Sequence, residues 1–515
     1  MSKWTVLFKQ DLPTFFDAAD KFYKQEMKPN DYKAISGGFG NYGERGAKST
    51  MIRCRFSGGV INKNQLLAFR EVIKTYHVPM VHFTTCQCLQ LHHITGDIIE
   101  PLMNELYDNN ILTRGAGSDN PRNITSSGLI GIEKDEYFDV TGYMNAVSEY
   151  LLGTIGTVKY PRKMKVSFSS SNDGSGHTRI RDLGYLANTD GTFDVYTAGG
   201  LGPNPKIGVK VADHIDPKDV VYYAEAMVRI FTEHSDYKTR ASNRSRYLPV
   251  KLGLEEYLRI YNEYVEEAKK KDLDVINPIG NIIEKTGPVE IINNWRIKPQ
   301  KQPGLYYVEY HPIGGTPTPE EFIELVDLVE PFEGVELRLA AEETAYIANL
   351  TAEEAKTVAA FVDNRSAQTT FEKSVSCVGA TVCQIGVRDS HGLLEAILAA
   401  AKPHHFEEGV LPRLYISGCH NSCGTHETAS IGFQGAAKLV DKKPVDAFAL
   451  FVGGNEAFGS EKLGEQVAVI ETRFIPEFIV ELGTTVRNAN TTFDDWIQGN
   501  QDVFNALVKQ YDEKI

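Results

Sequence analysis

Two segments of the chain repeat one pattern of hydrophobic and polar positions. The first begins at Arg55 with RFSGGVINKNQLLAFREVI, and the second begins at Tyr310 with YHPIGGTPTPEEFIELVDLV. In each, an extended stretch leads into a Gly-Gly pair, and apolar residues then recur every three or four positions, as on the buried face of an amphipathic helix. A run typical of a strand follows each helix. We therefore predict two copies of a small split β-α-β unit.

The starts of the two predicted helices carry the same local pattern. Asn62 is followed three residues later by Gln65, and Thr318 is followed in the same way by Glu321. This spacing is that of a capping box, in which the two side chains satisfy backbone N–H groups at the helix start. Pro319 falls at the first helical position, where proline is tolerated. Both helices are therefore expected to begin directly after the capping residue.

A second pair of segments repeats in the same order. YPRKMKVSFSSSNDG, RDLGYLA and DVYTAGGLG in the first half correspond to LPRLYISGCHNSCGTHE, ASIGFQGAA and FALFVGGNE in the second. The prediction is an internally duplicated α+β protein, with two ferredoxin-like half-units packed together and two larger α+β domains. The expected domains are 1–130 (N-terminal arm and first half-unit), 131–290 (first large domain), 291–370 (second half-unit) and 371–515 (second large domain). A charged amphipathic helix is predicted over 254–271.

Composition and charge narrow the class of protein. The chain has 515 residues and a formal net charge of −14. Such an acidic chain is not typical of a nucleic-acid binder or of a protein that binds anionic membranes. The N-terminus has no secretory pattern, and no stretch of about 18 apolar residues occurs. We therefore expect a cytoplasmic protein that must gather positive charge locally if it binds an anion.

Four of the seven cysteines lie close together late in the chain. They form a C-x5-C pair and a C-x3-C pair in glycine-rich segments. Four thiolates can hold a zinc ion or an iron–sulfur cluster. The wide first spacing favours the larger iron–sulfur cluster, although zinc and plain burial of the thiols stay open as alternatives. The four residues are Cys377, Cys383, Cys419 and Cys423.

The spacing C-x5-C followed by G-C-x3-C-G-x-H resembles the cluster motif of siroheme-containing nitrite and sulfite reductases. That family has a duplicated architecture, and the resemblance covers nearly the whole chain. It implies that the four cysteines bind one 4Fe–4S cluster. It also implies that Cys423 bridges the cluster to the iron of siroheme.

Four basic residues match the anion and siroheme pocket of this family: Arg53, Arg122, Lys163 and Lys165. A multiply charged oxyanion needs converging cationic donors. The two lysines flank Met164, so in a strand they would share one face. Siroheme carries eight carboxylates, so a cationic lining is expected for any substrate. Three other arginines are interpreted as solvent-facing, with contact to a siroheme carboxylate as the alternative: Arg55, Arg162 and Arg179.

One strand motif departs from the family pattern. The family's T-x-R-Q-x-x-Q-x-H-G appears here as TTCQCLQLHHI. Cys86 stands where arginine is expected, and His93 stands where glycine is common. The resemblance assigns the retained residues to siroheme binding: Gln87, Gln90 and His92. The three remaining cysteines are predicted to be buried apolar residues rather than metal ligands: Cys54, Cys86 and Cys88.

The resemblance implies six-electron reduction of a small oxyanion at siroheme, with electrons from the 4Fe–4S cluster. Sulfite is favoured as substrate, with sulfide as product, because Lys165 adds a positive charge and sulfite is the more highly charged anion. Nitrite, reduced to ammonia by the same machinery, is the alternative. The chain has no evident flavin or nicotinamide motif, so the donor is expected to be a separate ferredoxin or flavoprotein subunit. A non-catalytic zinc or redox-sensing protein is the alternative from another class.

Overall fold

A computed structural model describes residues 2–514 of the chain. Helices and sheets alternate throughout it, which confirms the predicted α+β class. The strands are β1 (Asn41–Gly43), β2 (Thr50–Arg55), β3 (Val60–Asn62), β4 (Met80–Phe83), β5 (Cys88–Ile94), β6 (Pro121–Thr125), β7 (Met164–Ser169), β8 (Leu183–Ala187), β9 (Phe193–Thr197), β10 (Val209–Ile215), β11 (Ile297–Pro299), β12 (Tyr306–Tyr310), β13 (Glu336–Leu339), β14 (Ala345–Leu350), β15 (Val375–Ser376), β16 (Leu414–Ser417), β17 (Ile431–Val440), β18 (Lys443–Val452) and β19 (Glu465–Glu471).

The α-helices cover the faces and ends of these sheets. They are α1 (Lys3–Lys9), α2 (Leu12–Tyr23), α3 (Pro29–Ser36), α4 (Lys63–Tyr76), α5 (Ile99–Asp108), α6 (Thr141–Thr154), α7 (Val220–His234), α8 (Leu248–Leu252), α9 (Leu254–Ala268), α10 (Pro319–Val329), α11 (Ala352–Val362), α12 (Gly379–Val382), α13 (Ser390–Ala401), α14 (Ile475–Asn488), α15 (Phe493–Gly499) and α16 (Gln501–Glu513). None of the helices in the described part of the chain is long and apolar enough to cross a membrane.

The chain divides into two compact units. The first contains the chain up to Gly200, Lys206–Tyr310 and Thr316–Arg365. The second contains Leu201–Pro205, His311–Gly315 and the chain from Ser366 onward. The strands of the two half-units and of the first large sheet therefore lie in the first unit. The cysteine-rich segments lie in the second unit.

The two half-units of the first unit are built alike and pack together. One sheet has the order β1-β2-β5-β4, and the other has the matching order β11-β12-β14-β13. Strand β3 of the first half-unit extends the second sheet, because Ile61 pairs with Leu337 of β13. The rings of Phe69 and Phe322, one from each half-unit, lie 6.5 Å apart in a shared apolar core. Both the duplication and the packing of the half-units agree with the prediction.

The predicted capping boxes are both present. Asn62 and Gln65 exchange side-chain and backbone hydrogen bonds at the start of α4, and Thr318 and Glu321 do the same at the start of α10. The glycine pair before each helix also has a physical reason. Gly58 has a φ of 63° and Gly314 a φ of 56°, values in the left-handed region that favour glycine.

The two large sheets also share one topology. The first has the order β10-β9-β8-β7-β6, and the second has the order β15-β16-β17-β18-β19. In each, three parallel strands come first in the chain and two antiparallel strands follow. Each sheet has its own apolar core. The predicted charged helix near 254–271 is α9, which packs Tyr257, Ile260, Tyr261 and Val265 into the first of these cores.

Strand register defines which residues of the two large sheets are equivalent. Gly184 of β8 pairs with Ser167, and Gly432 of β17 pairs with Tyr415. Counting from these pairs, Leu414 corresponds to Val166. An alignment on the Pro-Arg dipeptides that the two sequences share would instead match Leu414 with Lys163. The sequence alignment and the structural equivalence therefore differ by three residues. The loops that follow β7 and β16 are equal in length.

Candidate active site

Two of the predicted anion-binding residues meet in the first unit. Arg53 on β2 and Arg122 on β6 both donate from Nη1 to the carbonyl oxygen of Ala116, at 3.1 and 3.0 Å. Arg122 also donates from Nη2 to the Ser118 carbonyl oxygen at 2.7 Å, while its buried Nε has no hydrogen-bond partner among residues 2–514. The turn around Ala116 thus brings two guanidinium groups together and leaves donor capacity for an anion.

A tyrosine missed by the sequence analysis lies between these arginines. The Tyr42 hydroxyl accepts a hydrogen bond from the Ser118 backbone N–H at 2.5 Å, and the Arg53 guanidinium lies 5.8 Å from the Tyr42 ring centre. Burial would raise the pKa of Tyr42, but the charges of Arg122 and Arg53 outweigh it and lower the pKa below its usual value. The phenol is therefore a more acidic proton donor than an ordinary tyrosine.

The two predicted lysines lie at the start of β7. Met164 points into the core, while Lys163 and Lys165 on either side of it are half-buried. The Lys165 backbone N–H donates to Asp182 Oδ2 at 2.8 Å. Asp182 is fully buried and also accepts from Arg244 Nη2 at 3.0 Å. This carboxylate fixes the backbone under Lys165 and balances one of the buried charges.

Cys86 lies in a cationic environment. It is half-buried in the turn between β4 and β5, and its carbonyl oxygen accepts a hydrogen bond from Asn123 Nδ2 at 3.1 Å. Burial would raise the pKa of the thiol. The charges of Lys165, Arg181 and Arg53 outweigh that effect and lower the pKa to about 6. The prediction that Cys86 is an apolar buried residue is therefore wrong, because its surroundings favour the thiolate.

Arg181 is a functional candidate that the sequence analysis missed. Its side chain is 2% exposed, and its Nε and Nη2 have no hydrogen-bond partner among the described residues. A buried guanidinium with unsatisfied donors is expensive unless an anion completes it. The carboxylates of siroheme suit such a position. The alternation of Arg179 and Arg181 directly before β8 was the pattern that could have revealed it.

Arg55 corrects another prediction. It was interpreted as solvent-facing, but it is 6% exposed and donates to the carbonyl oxygens of Pro121 and Arg122 at 3.2 and 2.9 Å. The guanidinium ties β2 to β6. Arg55 therefore holds the two strands that carry Arg53 and Arg122.

The residues assigned to siroheme by resemblance have mostly protein partners. Gln87 donates to the Ser126 and Leu339 carbonyl oxygens at 2.9 and 2.7 Å, which uses both of its amide hydrogens. Gln90 and His92 are buried and bonded to each other at 3.1 Å. Siroheme contact through these three side chains stays a prediction, and they also connect elements within the first unit.

The predicted cluster ligands lie on loops of the second unit. Cys377 follows β15, Cys383 ends α12, and the segment after Cys383 is tied back when Val387 and Arg388 donate to the Gly418 carbonyl oxygen at 2.9 Å. Cys419 follows Gly418 directly. Among residues 2–514, no three His, Cys, Asp or Glu side chains are close enough to hold one metal ion in common. The hydrogen bonds join the Cys377–Cys383 segment to the segment that carries the other two cysteines.

The surroundings of these thiols suit a thiolate-bound cluster. The Gly418 N–H donates to Cys377 Sγ at 3.2 Å, and Asn421 Nδ2 donates to Cys419 Sγ at 3.3 Å. A Cβ on Gly418 would lie 2.6 Å from the Arg388 carbonyl oxygen, so only glycine permits this approach. Burial, followed by the charge of Cys423, raises the pKa of Cys377 to about 12. A bound metal cluster would stabilise the thiolate that this environment otherwise disfavours.

Two family models match the first half of the chain. The "Nitrite/Sulfite reductase ferredoxin-like half domain" matches residues 42–109, and the "Nitrite and sulphite reductase 4Fe-4S domain" matches residues 117–269. The second match covers the first large domain, the copy that has β6–β10. The four cysteines lie in the other copy.

Named relatives match most of the chain. A ferredoxin–nitrite reductase of Synechococcus elongatus is 27% identical over 81% of this chain and 82% of its own length. An assimilatory ferredoxin-dependent nitrite reductase of Haloferax mediterranei is 24% identical over 87% of this chain and 81% of its own. The solved structure of the Mycobacterium tuberculosis NirA protein shares the fold, with a TM-score of 0.78, 20% identity and coverage of 96% and 95% of the two chains.

These matches agree with the cysteine motif and the duplicated fold, and they decide between the classes left open by the sequence. The chain is an oxidoreductase whose cofactors are siroheme and a 4Fe–4S cluster. The zinc-binding alternative is thereby excluded. The chain belongs to the nitrite and sulfite reductase family.

Proposed function

We propose that this protein reduces nitrite to ammonia, using six electrons and seven protons and releasing two waters. When bound, siroheme and the 4Fe–4S cluster supply the electrons and the iron at which the N–O bonds are broken. The protein supplies charge, orientation and protons. The observation that carries the choice of nitrite is that nearby cations favour the ionised, negatively charged thiol of Cys86.

The basic residues of the first unit have distinct roles in this proposal. Arg53 and Arg122 hold the oxygens of the anion, because both converge on the Ala116 carbonyl oxygen and Arg122 Nε has no hydrogen-bond partner among the described residues. Lys163 and Lys165 add charge and deliver protons, since an ammonium can release a proton and a guanidinium cannot. Arg181 pairs with a carboxylate of siroheme.

The cysteines of the second unit hold the electron source. Cys377, Cys383, Cys419 and Cys423 would ligate the cluster, and Cys423 would also hold the siroheme iron. The amide donors near Cys377 and Cys419 stabilise the negative charge on the sulfurs.

Cys86 changes the charge that the substrate meets. At neutral pH a thiol whose pKa is about 6 is mostly ionised, so Cys86 contributes a negative charge where the family pattern has a positive one. It offsets the charge of Lys165, on which the preference for sulfite was based. A site with less positive charge favours the monoanion nitrite over the more highly charged sulfite. The relatives from Synechococcus elongatus and Haloferax mediterranei are named as nitrite reductases, which supports the same choice.

Sulfite is the second candidate substrate, and Lys165 is the observation that favours it. Sulfide would be the product of the same six-electron chemistry. Ferredoxin is the proposed electron donor, because the relatives from Synechococcus elongatus, Oryza sativa and Haloferax mediterranei are named as ferredoxin-dependent enzymes.

The test is the electron stoichiometry with each anion. Purified protein is given photoreduced methyl viologen or reduced ferredoxin, and the ammonia or sulfide formed is quantified. We expect six electrons per nitrite, and a higher kcat/KM for nitrite than for sulfite. Arg53→Ala and Arg122→Ala should each lower kcat/KM by roughly tenfold to a hundredfold, as expected for one charge-assisted contact. Consumption of fewer than six electrons, or unchanged kinetics in both variants, would contradict the proposal.

A further inference from the structure

His93 occupies a backbone position that suits glycine. Its φ is 61°, in the left-handed region that disfavours residues other than glycine. The family pattern has glycine here. The side chain is 39% exposed, and its Nδ1 lies 3.1 Å from Glu44 Oε2. The strained backbone therefore places an imidazole at the surface end of a buried carboxylate.

Glu44 receives donors from several directions. Its side chain is 4% exposed, and Oε1 lies 2.8 Å from His92 Nδ1. Both carboxylate oxygens also accept from the His93 backbone N–H at 3.2 Å, and Ser49 Oγ donates to Oε2 at 2.5 Å. Burial would raise the pKa of Glu44, but these contacts, led by His92, lower it below its usual value. The carboxylate is held ionised and fixed.

His92 connects Glu44 to Gln90 through its two ring nitrogens. With Nδ1–H donated to Glu44, its Nε2 is an acceptor and lies 3.1 Å from the Gln90 amide. Burial lowers the pKa of His92, which keeps the ring neutral and preserves this tautomer. The Gln90 amide nitrogen donates to His92, so its oxygen faces the other way.

Arg53 is the last residue in this series of contacts and bonds to Gln90. The Gln90 amide oxygen accepts from Arg53 Nη2 at 2.7 Å and from Nε at 2.8 Å. Nη1 donates to Ala116, so three of the five N–H groups of a guanidinium have protein partners. One hydrogen on each Nη remains for the anion. The orientation of these two hydrogens depends on Gln90.

We propose that His93 and Glu44 are positioning residues for Arg53, acting through His92 and Gln90. The contacts run without a break from the half-exposed imidazole to the guanidinium. His93 holds Glu44, Glu44 sets the tautomer of His92, His92 orients the Gln90 amide, and Gln90 presents its oxygen to Arg53. Since the proposal rests on the proposed oxyanion role of Arg53, its test must separate the two.

The experiment compares His93→Gly and Glu44→Gln with wild type, in protein loaded to equal siroheme content. Glycine suits the left-handed backbone, so His93→Gly removes the imidazole without adding strain. We expect the KM for nitrite to rise about fivefold or more in each variant, with kcat changed less than about twofold, because orientation of a binding group is lost. The Kd of nitrite, from the change in siroheme absorption when the oxidised protein is titrated without reductant, should rise in parallel.

The matched control is His77→Gly. His77 also has a left-handed φ, of 49°, and ends α4 at an exposed position. It should leave KM, kcat and Kd unchanged. If His93→Gly and Glu44→Gln bind nitrite as tightly as His77→Gly while Arg53→Ala binds it weakly, the positioning role is wrong and the proposed function stands. If Arg53→Ala itself binds nitrite normally, the oxyanion role fails first. If Glu44→Gln does not fold, His93→Gly alone decides.

Discussion

Replacing Cys86 with serine should shift the substrate preference towards sulfite. The thiol has a pKa of about 6, so it is about 90% ionised at pH 7, whereas an ordinary thiol is a few per cent ionised. Serine keeps a hydrogen-bonding group of similar size and carries no charge. Sulfite has up to one more negative charge than nitrite. For an assumed separation of about 8 Å and an effective dielectric constant of about 20, that extra charge is repelled by the thiolate by about 2 kcal/mol. After screening by solvent and salt, we expect the ratio of kcat/KM for sulfite to that for nitrite to rise roughly tenfold.

The assay measures both specificity constants at pH 8, where sulfite is largely a dianion. Photoreduced methyl viologen replaces dithionite, because dithionite is itself oxidised to sulfite. Cys88→Ser is the matched control: burial raises the pKa of Cys88 to about 11, so that substitution removes no charge. A ratio that is unchanged in Cys86→Ser, or that shifts equally in Cys88→Ser, would refute the charge argument.

Two further predictions concern the cluster and the stability of the first unit. Cys377→Ser should lose iron and acid-labile sulfide, because serine cannot replace a thiolate ligand. The control is Cys54→Ser, at a fully buried cysteine far from the motif in sequence, and this variant should retain both iron and sulfide. Equal metal content in the two variants would contradict the ligand assignment. Glu133→Gln should raise Tm by about 1–3 °C at pH 8 and by less at pH 5. Burial, followed by Asp173 and Glu136, raises the pKa of Glu133 in the folded protein to about 7 from a usual value of 4.5. The carboxyl therefore does not oppose folding below pH 4.5, and it destabilises the folded state increasingly as pH rises through 7. Calorimetric melts at both pH values check this, and an equal shift at each would contradict it.

Much of the fold was predictable because its determinants are local. The helix starts at Asn62 and Thr318 depend on side chains three residues apart, and the two Gly-Gly turns depend on backbone conformations that glycine adopts most readily. The likeness of the two large sheets was predictable from repetition in the sequence, but the order of their strands was not predicted. The register did not, because pairing between strands is set by contacts distant in sequence, and the shared Pro-Arg dipeptides suggested a shift of three residues.

The candidate site was predictable only in part. Residue type and family pattern pointed to Arg53 and Arg122, and the structure brings both to the Ala116 carbonyl oxygen. The burial of Arg55 could not be foreseen, because arginine is mostly exposed in proteins and no local pattern marks this exception. The charge state of Cys86 was equally hidden, since it depends on cations from other strands. The four domain limits and the roles of the site residues stay predictions.

The equivalence between the two large sheets explains how one fold came to hold two kinds of chemistry. Counting along the loops of equal length, Cys419 corresponds to Ser171 and Cys423 to Ser175, while Thr425 and His177 both have left-handed φ values, 49° and 54°. The two loops thus share their length and the left-handed conformation at this position, while their side chains differ. Further along, the buried Arg181 corresponds to Ala429.

A thiol and a hydroxyl are nearly equal in size, so exchange of serine and cysteine in this loop changes its affinity for iron without changing its shape. Exchange of alanine and arginine at one buried position similarly changes its affinity for anions. Under the proposed assignments, few substitutions therefore separate a cluster-binding copy from an anion-binding copy. The same division accounts for the distribution of positive charge in this acidic chain. The cationic side chains are concentrated in the copy that lacks the cluster cysteines. That copy also contains Arg181, whose unsatisfied donors suit a bound anion.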